Sequence, residues 1–103
     1  MQELKGFQKK YLRGLAHKLQ PVVYVGQKGV SAAVTDFLED ALSAHELVKV
    51  KFVENKEKDT KKKIVAELEK RTDSRLAGLI GHVAIFFRPH PDSDKRKVVL
   101  PQR

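Results

Sequence analysis

The chain has no cysteine among its 103 residues, which excludes disulfides, thiolate catalysis and cysteine-ligated zinc. Packing alone must hold the fold. No stretch approaches the ~20 apolar residues that a bilayer-spanning helix needs. The first residues lack the apolar run and small-residue cleavage site of a secretory signal, so a cytoplasmic location without a membrane partner is expected. Aromatic residues make up 7% of the chain, and they do not form the interleaved array of RNA-recognition sheets. Acidic side chains are also scarce, with 13 Asp and Glu against 21 Lys and Arg and a formal net charge of +8. A field of that sign on so small a body attracts polyanions and speeds encounter with them.

The ingredients of catalysis are missing too. His17, His45, His82 and His90 are scattered, with no pair at metal-ligand spacing, and there is no nucleophile elbow or P-loop. Glu39 and Asp40 are adjacent on a helical stretch and so diverge, whereas a general acid and base must converge on one atom. The expectation is a protein that is not an enzyme and uses neither metal nor cofactor. An enzymatic role would fall first on His17.

What is present is room for one domain, residues 1–103 with a compact core of about 3–100, burying roughly 60 to 70% of the surface of the unfolded chain. Over residues 3–17, Leu4, Phe7, Tyr11, Leu12 and Leu15 recur at helical spacing. Lys5, Lys9, Arg13 and His17 follow at i+4 on the other side with Lys10 beside them, giving an amphipathic helix with a basic back. Pro21 stops it, and the β-branched run at 22–25 predicts a strand suited to a sheet interior. Ser31 is placed to cap a second helix with a stripe of Val34, Phe37, Leu38, Ala41 and Leu42, and with Asp36, Glu39 and Asp40 outside. Alternation over 47–53 predicts a second strand that buries Val48, Val50 and Phe52 and turns Lys49 and Lys51 the other way. The resulting βαβ unit requires the two strands to be parallel.

A third helix is expected from Asp59 or Thr60 to Arg71, with Ile64, Val65 and Leu68 inward. Strands at 75–80 and 83–88 flank Gly81-His82, which predicts an antiparallel hairpin with Phe86 and Phe87 on opposite faces. Residues 89–94 read as a turn-rich loop and 95–100 as a short edge strand.

Gly26-Gln27-Lys28-Gly29 lies between the first strand and the capped helix. Glycines three apart serve a tight turn in any case. They also let a backbone ligand approach without a Cβ in the way, while helix-opening N–H groups and Lys28 supply positive charge. KH modules clamp nucleotide backbone with a Gly-x-x-Gly loop for the same reason, although there the loop follows a helix.

On the first helix, Lys5, Lys9, Lys10 and Arg13 have no acid between them. If that helix packs beside the first strand, its back continues the loop as a phosphate track. The lysines at 56, 58, 61, 62 and 63 have Glu54, Glu57, Asp59, Glu67 and Glu69 nearby and are expected to be peripheral. Lys49, Lys51 and Arg88 either enlarge the basic surface or snorkel past helix edges. Tyr24 is in reach of a base, but in a strand of a small core it is expected to be packed.

Five ordered blocks then resemble a known family: Arg13-Gly14-Leu15-Ala16-His17, Pro21-Val22-Val23, Val25-Gly26-Gln27-Lys28-Gly29-Val30, His45-Glu46-Leu47-Val48-Lys49-Val50-Lys51 and Phe87-Arg88-Pro89. Together they resemble the bacterial stand-alone CRM (chloroplast RNA splicing and ribosome maturation) domains, the YhbY-like family. The resemblance implies a two-layer α/β domain of order α-β-α-β-α-β-β with a four-stranded mixed sheet, similar to the C-terminal domain of translation initiation factor 3. It also implies non-catalytic RNA binding and association with the precursor of the large ribosomal subunit, with ribosomal RNA and the pre-ribosomal particle as partners. The family's RNA-contacting loop falls on Gly26, Gln27, Lys28 and Gly29, with Lys5, Lys9, Lys10 and Arg13 as the second half of the surface. The competing expectation is a basic adaptor that docks an acidic protein, and like-charge repulsion favours a monomer in either case.

Overall fold

Residues 83–87 are apolar at every position and four of the five are buried, a pattern that requires both faces of the sheet to be covered. The computed structural model describes residues 1–102 and shows how; Arg103, the last residue of the expected domain, lies outside them. The elements run α1 (Gly6–Ala16), β1 (Pro21–Val25), α2 (Ala32–His45), β2 (Leu47–Phe52), α3 (Lys58–Thr72), β3 (Arg75–Ile80) and β4 (Val83–Phe87), then a 3₁₀ turn at Ser93–Lys95. The order and the four-stranded mixed sheet are those expected. Strands are arranged β1-β2-β4-β3, with β1 and β2 parallel and the other pairs antiparallel.

The layering differs from the two layers expected. Helices α2 and α3 cover one face over Val50, Phe52 and Phe86, while α1 covers the other over Leu47, Ile85 and Phe87. Phe86 and Phe87 do point oppositely, and each belongs to a different cluster. Two further expectations are corrected. Strand β1 lies at the sheet's edge, and α1 packs on β3, β2 and β4, leaving one face of β1 open. Val23 and Val25 are buried beneath α2, but Val22 and Tyr24 are 53% and 54% exposed.

The helical stripes are also narrower than the sequence suggested. In α2, Val34, Leu38 and Leu42 face the sheet, whereas Phe37 is 63% exposed. The inward line on the first helical segment is Leu4, Gln8, Leu12 and Ala16, at strict i+4 spacing, so Tyr11 and Leu15 remain exposed. Ser31 caps α2 as expected, its Oγ accepting from the Val34 N–H at 3.1 Å.

No strand forms over residues 95–100, because that backbone has a different partner. Glu46, which ends α2 at φ 64°, is buried, and its carboxylate accepts N–H bonds from Lys97 (2.6 Å), Val98 (3.0 Å) and His90 (2.8 Å). Val98 and Leu100 then pack onto the α1-side cluster. Arg88 is likewise an internal brace. Its guanidinium donates to Thr72 O at 2.8 Å and Ser43 Oγ at 2.9 Å and pairs with the Glu39 carboxylate, joining β4 to the ends of two helices.

Candidate nucleic-acid interface

The glycine loop closes as a tight turn, the Gly29 N–H donating to Gly26 O at 3.0 Å. Its two glycines are there for different reasons. Gly29 has φ +63°, in the left-handed region that L side chains disfavour. Gly26 has no such φ, and a Cβ placed on it would meet nothing within 4 Å. Neither backbone conformation nor crowding requires glycine at position 26. Gln27 and Lys28, between them, are exposed, and the first turn of α2 carries no acid.

Asn55, which the sequence analysis does not single out, fixes this turn in place. Its Nδ2 donates to Gly26 O at 2.9 Å and Gln27 O at 3.1 Å, while the Val53 and Glu54 N–H groups both bond Val25 O. The available signal was an Asn in a polar connection just after a strand, a residue type that tolerates the left-handed region; here its φ is 55°. Asn55 and, from α3, Ile64 thus border the glycine loop.

The lysines of that cluster divide into two kinds. Lys61 is buried, its Nζ donating to Gly81 O at 2.6 Å and lying 3.3 Å from His82 Nδ1, so it ties α3 to the β3–β4 turn. Lys56, Lys58, Lys62 and Lys63 are exposed.

On α1, Lys9 and Lys10 are exposed, as is Lys5 at its N-cap, whose backbone N–H bonds Gln8 Oε1 at 3.0 Å. Arg13 is anchored: Nη1 donates to Ala77 O at 3.1 Å and the side chain crosses Gly78, where a Cβ would come within 2.6 Å of Arg13 Cδ. Because α1 packs on β3, β2 and β4, the expected placement beside β1 is not found, and its basic residues stand across the sheet from α2. Lys49 reaches Leu19 O at 3.0 Å, whereas Lys51 is exposed. Tyr24, expected in the core, is exposed on the edge strand.

The perturbed acids belong to the scaffold. Burial pushes the Glu46 carboxyl up, but the three backbone N–H donors outweigh it and hold the group below its ordinary range. The Arg88 hydrogen bond lowers Glu39 against a smaller effect of burial. Among the described residues, no three His, Asp or Glu side chains are placed to share a metal ion, and no helix is long and apolar enough to cross a membrane. His17 is exposed.

The chain is 38% identical to a protein of Haemophilus influenzae named RNA-binding protein, over 103 residues and 100% of both chains. It is 34% identical to Probable RNA-binding protein YqeI of Bacillus subtilis, covering 95% of this chain and 99% of that one. The solution structure of SAV1595 from Staphylococcus aureus, 32% identical, superposes with a TM-score of 0.82 over 95% of this chain and 99% of that one. The CRS1 / YhbY (CRM) domain profile matches residues 4–88, which include the glycine loop, Asn55 and every strand. With the profile match and these relatives in agreement, this chain belongs to the CRS1/YhbY (CRM) domain family.

Proposed function

We propose that the chain acts as a single CRM-type RNA-binding domain in the cytoplasm, non-catalytic, associating with precursors of the large ribosomal subunit and assisting their assembly. Gly26, Gln27, Lys28 and Gly29 hold the RNA backbone, with the exposed Lys56, next to Asn55, beside them. Lys5, Lys9 and Lys10 extend the contact on the α1 side, where Arg13 borders it while anchored to Ala77. The observation that carries this reading is Gly26, a glycine the fold does not need, next to an exposed lysine on a chain of net charge +8. The relatives named as RNA-binding proteins support it.

The test is Lys28→Glu. RNA affinity should fall severalfold with the melting temperature nearly unchanged, since Lys28 is exposed. Equal affinity would remove the loop from the mechanism. Sedimentation of the native protein with and without nuclease addresses the ribosomal part. Migration with large-subunit precursors that nuclease abolishes is the expected result. Retention of a protein partner after nuclease would establish the acidic-partner adaptor instead.

A further inference from the structure

The sheet face that α1 covers is not covered to its end. Arg13 lies over Gly78, which pairs with Ile85, and Ile85 pairs with Lys49. One step nearer the glycine loop, the register places Tyr24 beside Lys51, Lys51 beside Val83 and Val83 beside Ile80. Those four side chains share the α1-side face, because the alternate positions Val23, Val25, Val50, Phe52 and Ala84 are buried under α2 and α3. Yet α1 does not reach them. Tyr24 is 54% exposed, Ile80 is 61% exposed, Lys51 is exposed and Val83 is half-buried.

The row crosses all four strands, three inter-strand steps or about 14 Å. Tyr24 is two residues, about 7 Å of strand, before Gly26. The strip therefore joins the glycine loop to the α1 side of the molecule.

Its chemistry is specific: one aromatic ring, two aliphatic side chains and one ammonium group, with no acid in the row. The Tyr24 hydroxyl donates to Pro21 O at 3.3 Å, which keeps the ring along the sheet edge. An aromatic face beside a phosphate-sized turn suits an unpaired base, because only a base out of a duplex has a face to offer.

We infer that this strip is a base-stacking platform for single-stranded RNA, with Tyr24 under a base, Ile80 and Val83 as its apolar continuation and Lys51 beside the backbone. The inference rests on the loop being the phosphate site, since that sets where the strand enters.

The experiment compares a labelled oligouridine with the same sugar-phosphate strand lacking its bases, titrated by fluorescence anisotropy. Wild type should bind the base-bearing strand roughly fivefold to a hundredfold more tightly, the range of one base on one aromatic ring. Tyr24→Phe should keep that preference and Tyr24→Leu should erase it, whereas Lys28→Glu should weaken both strands alike. Equal binding of the two strands by wild type, an undiminished preference in Tyr24→Leu, or tighter binding of an RNA duplex overturns the platform. The loop assignment survives those outcomes as long as Lys28→Glu weakens binding, and wild type binding neither strand overturns both.

An independent readout uses the folded chain without altering the strip. The sequence has two tyrosines and no tryptophan, so in Tyr11→Phe all intrinsic tyrosine emission comes from Tyr24. Oligouridine should quench it in step with binding, and unchanged emission at saturation overturns the platform.

Discussion

At the scale of single residues, the two loop glycines should separate folding from binding. Gly29→Ala puts a Cβ in ordinary contact, 3.5 Å from Ile64 Cδ1, so its cost is the left-handed backbone, about 1–2 kcal/mol. Gly26→Ala meets open space at an ordinary φ and should leave stability within about 0.5 kcal/mol of wild type. It should nonetheless weaken RNA binding; thermal melts paired with anisotropy titrations check both halves. Unimpaired binding by Gly26→Ala would mean that nothing approaches the loop closely there. The Gly-x-x-Gly pattern was visible in the sequence, but the division of labour within it was not, because φ and free space around a Cβ are set by Asn55 and Ile64, 26 or more residues away. Tyr24, expected in the core, is exposed for a related reason. Alternation along a strand shows that neighbours point oppositely, and only the reach of another element decides which side is covered.

Glu46 gives a second prediction at this scale. Its carboxyl is held below the ordinary value of about 4.3, so the folded state favours the ionised form. The stabilisation is complete above that ordinary value and is lost as pH falls below it, through the lower folded value. Glu46→Gln should cost about 1–3 kcal/mol at neutral pH, as expected for hydrogen bonds to a buried charge. The gap to wild type should narrow on acidification below pH ~4. Melting temperature against pH for both proteins measures this, and a constant gap would show that the charge of Glu46 does not hold the C-terminal segment.

At the scale of elements, the docking of α1 depends on one glycine. Gly78 lets the Arg13 side chain cross β3 on its way to Ala77 O, and a Cβ there would come 2.6 Å from Arg13 Cδ. Gly78→Ala should therefore cost about 1–3 kcal/mol by overpacking. In an Arg13→Ala background most of that cost should vanish, giving a coupling that chemical denaturation of the four proteins in the cycle can read. Additive effects would mean that Gly78 matters for β3 alone.

The elements themselves were largely legible. Helical periods placed all three helices, alternation placed β2 and β-branched or apolar runs the other strands, Ser31 marked a helix start, and Gly81-His82 marked the hairpin. The edge position of β1 and the third layer were hidden, because an apolar run such as Pro21–Val25 looks alike in a sheet interior and on an edge with one covered face. The run at 95–100 has strand composition, but Glu46 takes its Lys97 and Val98 N–H groups in place of a strand partner.

At the scale of the whole molecule, a net charge of +8 draws any polyanion, so affinity alone does not distinguish a built site from a basic surface. The lysines make the distinction. Binding to single-stranded RNA should weaken linearly on log-log axes with salt, each phosphate contact contributing about 0.7 to the slope. Lys28→Gln should lower the slope by about that amount. Lys61→Gln removes the same charge, but Lys61 is buried against Gly81 O and His82. It should destabilise the junction of α3 with the β3–β4 turn and leave the slope unchanged. Lys70, exposed in the last turn of α3, serves as the control on the remaining surface, and Lys70→Gln should likewise leave the slope unchanged. A diffuse field would make Lys28 and Lys70 equivalent, since both are exposed single charges on the same small body. Unequal slopes at equal net charge are the signature of phosphates held at the glycine loop, and equal slopes would reduce the interface to its charge.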